Sequence, residues 1–200
     1  MNRREAVRAV AALAAGSVLE RLAPAELLAL GRRVHEAGRT QSLRTLSAYQ
    51  ERLVAVIADL IIPATDTPGA AAADVGRFTD VILTEWSPPQ ERDAFLQGLA
   101  QVDARSRVRY GCDFVSCSAH DQVALLTTLD AEVTRLRADE RRGGVAEGTA
   151  DRHVFARLKW FTLYGYYTSQ VGQEVELGER VIPPVVGGCV PIARGTGGGR

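Results

Sequence analysis

The chain carries no surplus of charge: 24 Lys plus Arg balance 24 Asp plus Glu over 200 residues. That balance excludes the basic face by which nucleic acid is gripped. Nor is there an apolar run of the roughly 18 residues that a membrane-spanning helix needs. Cysteine is scarce, with only Cys112, Cys117 and Cys189 and no CxxC pair, and His35, His120 and His153 stand far apart. A four-ligand zinc site therefore lacks its usual spacing. Gly195-Thr196-Gly197-Gly198-Gly199 has no strand pattern before it, no helix pattern after it and no lysine, so it is not a phosphate loop. No Rossmann fingerprint exists either, which closes that route to a dinucleotide. The paired carboxylates Asp139-Glu140 sit in a charged stretch, where water screens them.

Aromatic residues are also few, at 6%, yet they are not spread evenly. Residues 158–172 (L-K-W-F-T-L-Y-G-Y-Y-T-S-Q-V-G) hold one of two tryptophans, three of five tyrosines and one of five phenylalanines. On a 3.6-residue wheel Leu158, Phe161, Thr162 and Gly165 share one face, and Trp160, Tyr164 and Tyr167 share another. Gly165 costs a helix interior about 1 kcal/mol relative to Ala, a cost that close approach of another backbone would justify. Two readings stay open. The helix is wrapped by its own domain, or its tyrosine side docks a partner through Trp160, Tyr164, Tyr166 and Tyr167, with Cys189 beside them.

The N-terminus reads as a targeting segment covering residues 1–25. Its first eight residues are basic, residues 9–19 are apolar and small, and Ala23-Pro24-Ala25 offers an A-x-A cleavage site. Adjacent Arg3 and Arg4 give it a twin-arginine character, implying export after folding. The competing reading is an ordinary amphipathic first helix.

Pro24 opens a helix to about Val34, and residues 39–46 read as a linker. Ser47 caps a helix bearing Leu53, Val54, Ile57, Leu60 and Ile61, with Glu51 as an approximate capping-box partner and Pro63 as the stop. Pro63, Asp66, Pro68 and Gly69 make the next stretch an ordered loop. Asp74 caps a helix that turns Val75, Phe78, Val81, Ile82 and Trp86 inward. Ser87 as cap and Pro88 as first residue begin another, with Phe95, Leu96, Leu99, Val102 and Val108 inward and Gly111 ending it. Ser118 with Asp121 starts a helix to about Leu136, apolar at Val123, Leu125, Leu126 and Leu129. Residues 135–150 read as a solvated helix end and connection, after which Thr149 or Asp151 caps the aromatic helix.

No strand period appears. The fold expected is all-α, a single irregular bundle of about six helices over residues 26–193. An extended C-terminal stretch follows, with residues 194–200 as a flexible tail. In an oxidising compartment Cys112 and Cys117 could close a small loop, leaving Cys189 unpaired; equally, the two thiols never meet. Cys117 with His120 is the one pair that could act as nucleophile and base. The residues alone go no further than a helical domain without a visible catalytic set.

Four pieces resemble a known family. They are L-I-I-P-A-T-D-T-P-G-A (60–70), F-T-D-V-I-L-T-E-W (78–86), the aromatic run at 158–172, and G-G-C-V-P (187–191). In this order they resemble the gluconate 2-dehydrogenase subunit 3 family, G-Y-Y-T-S and G-C-V-P being the specific parts. That resemblance implies a small, non-catalytic subunit of a periplasmic flavin-dependent sugar or sugar-acid dehydrogenase. The FAD would sit in a large subunit of glucose-methanol-choline type, with none in this chain, and a cytochrome c subunit would accept the electrons. The small subunit would stabilise the flavoprotein and carry the twin-arginine signal for both, since an FAD-loaded protein must cross the membrane folded. The chain departs from the family pattern at the residues flanking Arg3-Arg4, at Cys112 and Cys117, and at 181–184. A stand-alone helical binding module and a self-sufficient Cys117/His120 enzyme are the readings that compete with it.

Overall fold

The computed structural model describes residues 24–178, and among these it contains helices, turns and short loops but no strand. Arg3, Arg4 and Cys189, with residues 1–23 of the expected targeting segment and the C-terminal stretch from 179, lie outside the described residues. The first described helix, α1, is Pro24–Thr40, with Leu27, Leu30 and Val34 buried. It outruns its expected end because Arg77 satisfies its last carbonyls, donating from Nη1 to Gly38 O at 3.4 Å and to Gln41 O at 3.0 Å. What remains of the linker is held by one buried carboxylate. Asp80 accepts the backbone N–H of Arg44 (3.0 Å), Thr45 (2.8 Å) and Leu46 (2.7 Å).

Helix α2 is Ala48–Ile61, and Ser47 caps it as expected, but the capping box closes on Gln50 rather than Glu51. Gln50 lies three residues on, where its amide oxygen reaches back to Ser47 N–H at 2.9 Å. The following loop contains one 3₁₀ turn, Ala70–Ala73, and leads into α3, Val75–Glu85. Trp86, expected inside, is exposed at the chain's exit from that helix. Helix α4 is Pro89–Tyr110, starting one residue later than read, with Pro88 in the cap position and left-handed Gly111 ending it. Phe95, Leu99 and Val102 point inward with Asp103 and Ser106, whereas Val108 is 90% exposed. Thirteen residues beyond Phe95, Val108 falls on the far side of a 3.6-residue wheel.

A 3₁₀ turn, Phe114–Ser116, leads to α5, Ala119–Arg141, capped by Ser118 and a turn longer than expected. Val123 lies outside its buried stripe of Leu125, Leu126, Leu129 and Val133. Glu140 is not merely a solvated charge, because its Oε1 accepts Ala150 N–H at 2.7 Å. That bond anchors a single helical turn, α6, Thr149–Arg152. His153, not Thr149 or Asp151, then caps α7, Val154–Thr168. A wide π-type turn, Val171–Glu176, completes the described chain.

Helix α7 is the axle of the bundle, packing against each of α1 to α6. Its aromatic rings make the centre of the core: Phe161 meets Phe95 edge-on at 5.3 Å, Tyr164 meets Phe78 at 5.4 Å, and Trp160 leans on Tyr164 at 4.9 Å. Gly165 answers to a ring and not to a backbone, since a Cβ there would stand 3.0 Å from Phe78 Cδ1. Gly31 of α1 is the tighter approach, where a Cβ would stand 2.3 Å from Thr168 Cβ. The expected all-α bundle is the one found, with α6 as its extra turn.

Candidate functional site

Of the residues expected to face a partner, three are inside the domain. Trp160, Tyr164 and Tyr166 are 9%, 0% and 1% exposed, because α7 is packed against each of α1 to α6. The two tyrosine tips are used internally, whereas Trp160 Nε1 is buried with no hydrogen-bond partner among the described residues. Tyr164 donates its hydroxyl to Leu27 O at 2.7 Å, and burial raises its phenol well above the ordinary value of 10.0. Tyr166 donates to Pro68 O, also at 2.7 Å, and its phenol too is raised, first by burial and then by Glu176. Tyr167 alone keeps a partly open side chain.

Cys112 and Cys117 form a disulfide with their Cα atoms 5.6 Å apart, pinning the end of α4 to the approach of α5. A thiolate is the nucleophilic form of cysteine, and a bonded sulfur is not one. His120 offers no base nearby, its side chain being 92% exposed and turned to Asp121 at 3.6 Å. The Cys117/His120 reading is thereby overturned.

The arrangement with the most open chemistry lies at one end of the bundle. There the 62–69 loop meets α7 through the Tyr166–Pro68 bond, and the turn after α7 through Thr67 Oγ1, which donates to Glu176 Oε2 at 2.7 Å. Beside them, between the end of α1, the start of α3 and residues 169–171, is an open-sided cavity of about 270 Å³. His35, Arg39, Asp74, Arg77, Phe78 and Val171 are among its walls. Asp74 stands at the cap position of α3 as expected, but it is left-handed (φ 48°) and its side chain makes no cap bond. That backbone costs an ordinary residue roughly 1–2 kcal/mol. His35 donates from Nε2 to Gly165 O at 2.7 Å, and burial, outweighing that bond, lowers its pKa below 6.5. Arg39 and Asp74 pull that pKa in opposite directions, so both charges bear on the same space.

The family model for gluconate 2-dehydrogenase subunit 3 matches residues 48–183. The chain belongs to the gluconate 2-dehydrogenase subunit 3 family. No curated protein and no solved structure matches it. The match starts at the first residue of α2, so the subunit 3 segment takes in α2 to α7 and leaves α1 outside. Helix α1 is nevertheless part of the same core, through Leu27, Leu30 and Val34. Membership makes this chain a component of a gluconate 2-dehydrogenase-type complex.

Within the subunit 3 fold, the cavity residues escaped sequence reading for an identifiable reason. An Asp before a helical run signals a cap, and nothing local announces that its backbone will turn left-handed. His153 was hidden similarly, because histidine is not a usual cap residue. Its Nδ1 accepts Phe155 N–H at 3.2 Å, while Nε2 faces Glu132 Oε2 at 3.4 Å. Burial lowers its pKa below 6.5, against an opposing pull from Glu132. The unfolded chain therefore takes up this proton at a higher pH than the folded one does. Stability is fully present above 6.5 and is lost as pH falls from there through the lower folded value. Protonating Nδ1 would also break the cap of α7. In His153→Asn the cap acceptor persists without a titration, so unfolding free energy should fall less steeply between about pH 7 and pH 5. An unchanged slope in denaturant titrations would assign the acid sensitivity elsewhere.

Proposed function

We propose that this chain is the non-catalytic small subunit of a flavin-dependent sugar or sugar-acid dehydrogenase. In this reading it stabilises a large subunit of glucose-methanol-choline type, which carries the FAD, and a cytochrome c subunit takes the electrons onward. The observation that carries the reading is the family match over residues 48–183. A flavoprotein loaded with FAD must cross a membrane already folded, so a twin-arginine signal at Arg3 and Arg4 could serve both chains. The Cys112–Cys117 disulfide supports a periplasmic or periplasm-facing location, since such bonds persist in oxidising compartments.

The test is co-expression of the tagged chain with a large-subunit flavoprotein of glucose-methanol-choline type from the same organism, followed by affinity capture and a visible absorption spectrum. Flavin absorbance is expected to follow the tag, and the isolated chain is expected to be colourless and inactive on gluconate. A chain that binds FAD alone, or that never retains the flavoprotein, would sink the proposal.

A further inference from the structure

We propose that the cavity bounded by α1, α3 and residues 169–171 is the socket into which the large subunit inserts an acidic side chain. This rests on the subunit reading above and adds to it the place and chemistry of docking. Trp160, Tyr164 and Tyr166 are consumed by the core, so the partner is met beyond them. The cavity opens on the same end of the bundle as Tyr167, the one tyrosine of that set with open surface. Tyr167 and Val171 pack on one small apolar cluster, and Ala73 of that cluster lines the cavity with Val171.

Charge selects the occupant. Two arginines, Arg39 and Arg77, face a single aspartate, Asp74, and His35 is held neutral as a donor to Gly165. Arg77 spends Nη1 on the carbonyls that end α1, while its Nε and Nη2 donors carry no hydrogen bond among the described residues. Among the described residues Arg39 is paired only with Glu36 at 3.4 Å, and both side chains are more than half exposed, at 59% and 75%. Such a surface pair is weak and readily exchanged for a better acceptor. A planar guanidinium fixed at one nitrogen with donors to spare matches a carboxylate.

Size and stiffness agree. About 270 Å³ exceeds the roughly 150 Å³ that accommodates a benzene ring and falls below the usual range for drug-sized ligands. It suits one side chain better than a whole small molecule. The walls are preorganised: Ser169 Oγ donates to Tyr166 O at 2.6 Å and accepts Gly172 N–H at 3.0 Å, fixing the turn that carries Val171. Phe78 and Val171 are apolar members of its lining beside the charged Arg39, Arg77 and Asp74, a mixture suited to an interface anchor. Asp74 opposes an incoming carboxylate and so confines it to the arginine side.

The test measures the dissociation constant of the full chain for the large subunit at fixed ionic strength, with a thermal melt for each variant. Arg39→Glu, whose wild-type side chain makes only the surface contact to Glu36 among the described residues, should melt normally and weaken binding about tenfold. Arg77→Gln should weaken it in the same direction. Asp74→Asn should tighten binding about threefold, because a repulsion is removed. If the wild-type chain binds and the arginine variants bind equally well, the socket is wrong while the subunit reading stands. If Asp74→Asn instead weakens binding, the socket takes a cation and the proposal is overturned. Failure of the wild-type chain to bind at all refutes the subunit reading itself.

Discussion

Asp80→Asn is expected to lower the unfolding free energy by about 3 kcal/mol, although it changes no more than one oxygen to nitrogen. Three consecutive backbone N–H groups converge on the Asp80 carboxylate, Thr45 and Leu46 on Oδ1 and Arg44 on Oδ2. An asparagine can keep its oxygen toward only one side. Its NH₂ group then confronts another N–H, leaving two donors opposed at a buried point, and the charge that strengthened all three bonds is gone. Hydrogen bonds to charged groups contribute roughly 1.5–3 kcal/mol each, and the three share one acceptor group, so the loss is less than their sum. Nearby contacts do not compensate. The Thr45–Thr84 hydroxyl pair at 2.7 Å and the half-exposed Arg44–Glu85 pair at 2.6 Å both depend on the linker that Asp80 positions. A drop of roughly 6–12 °C in melting temperature should follow for a domain of this size. A variant melting within error of the wild type would show that water replaces the lost acceptor. Because residues 41–46 join α1 to α2 and run beside α3, partner binding should weaken with stability in this variant, in contrast to Arg39→Glu.

Asp80 also marks the boundary of what the sequence discloses. Where a single residue punctuates the backbone, the element is legible: Pro24 opens α1, Ser47 and Ser118 cap α2 and α5, Pro63 stops α2 and Gly111 ends α4. These effects are local, fixed by a missing N–H, a short hydroxyl or the absence of Cβ. The apolar stripes are legible for the same reason, and Val108 misleads only because its hydrophobicity outweighs its phase on the wheel. What the sequence hides is tertiary. Asp80 lies mid-helix in a run that reads as an ordinary amphipathic pattern, and its partners are more than thirty positions earlier. Asp74 has the residue type of a helix cap and the cap position, yet its φ of 48° turns the carboxylate to other use. The cavity draws on α1, α3 and the turn after α7, so no window of sequence contains it. The aromatic run could be recognised as the centre of something, and its content did not say whether the something was a core or an interface.

That question has a direct answer in Tyr164. Tyr164→Ala is expected to cost about 4 kcal/mol, in the range for removing a large aromatic from a packed core. The ring is fully buried between Phe78, which meets it edge-on, and Trp160, which leans on it at 4.9 Å. Its loss would leave a cavity that three helices line and none can fill without moving. Tyr164→Phe separates the ring from the hydroxyl. It keeps the packing and removes only the bond to Leu27 O, formed across 137 positions of sequence, so the expected cost is about 1 kcal/mol. Tyr167→Asp, on the open edge of the same helix, should cost less than Tyr164→Ala because its side chain has water to face. Urea unfolding with an unchanged m-value gives all three on one scale. The decisive result is the order: Tyr164→Ala most damaging to folding, and Tyr167→Asp more damaging to partner binding than to folding. Should Tyr164→Ala fold almost normally and fail only to hold the flavoprotein, then the centre of α7 opens to the partner. The bundle seen here would in that case be the closed form of an interface, not the finished core that its burial describes.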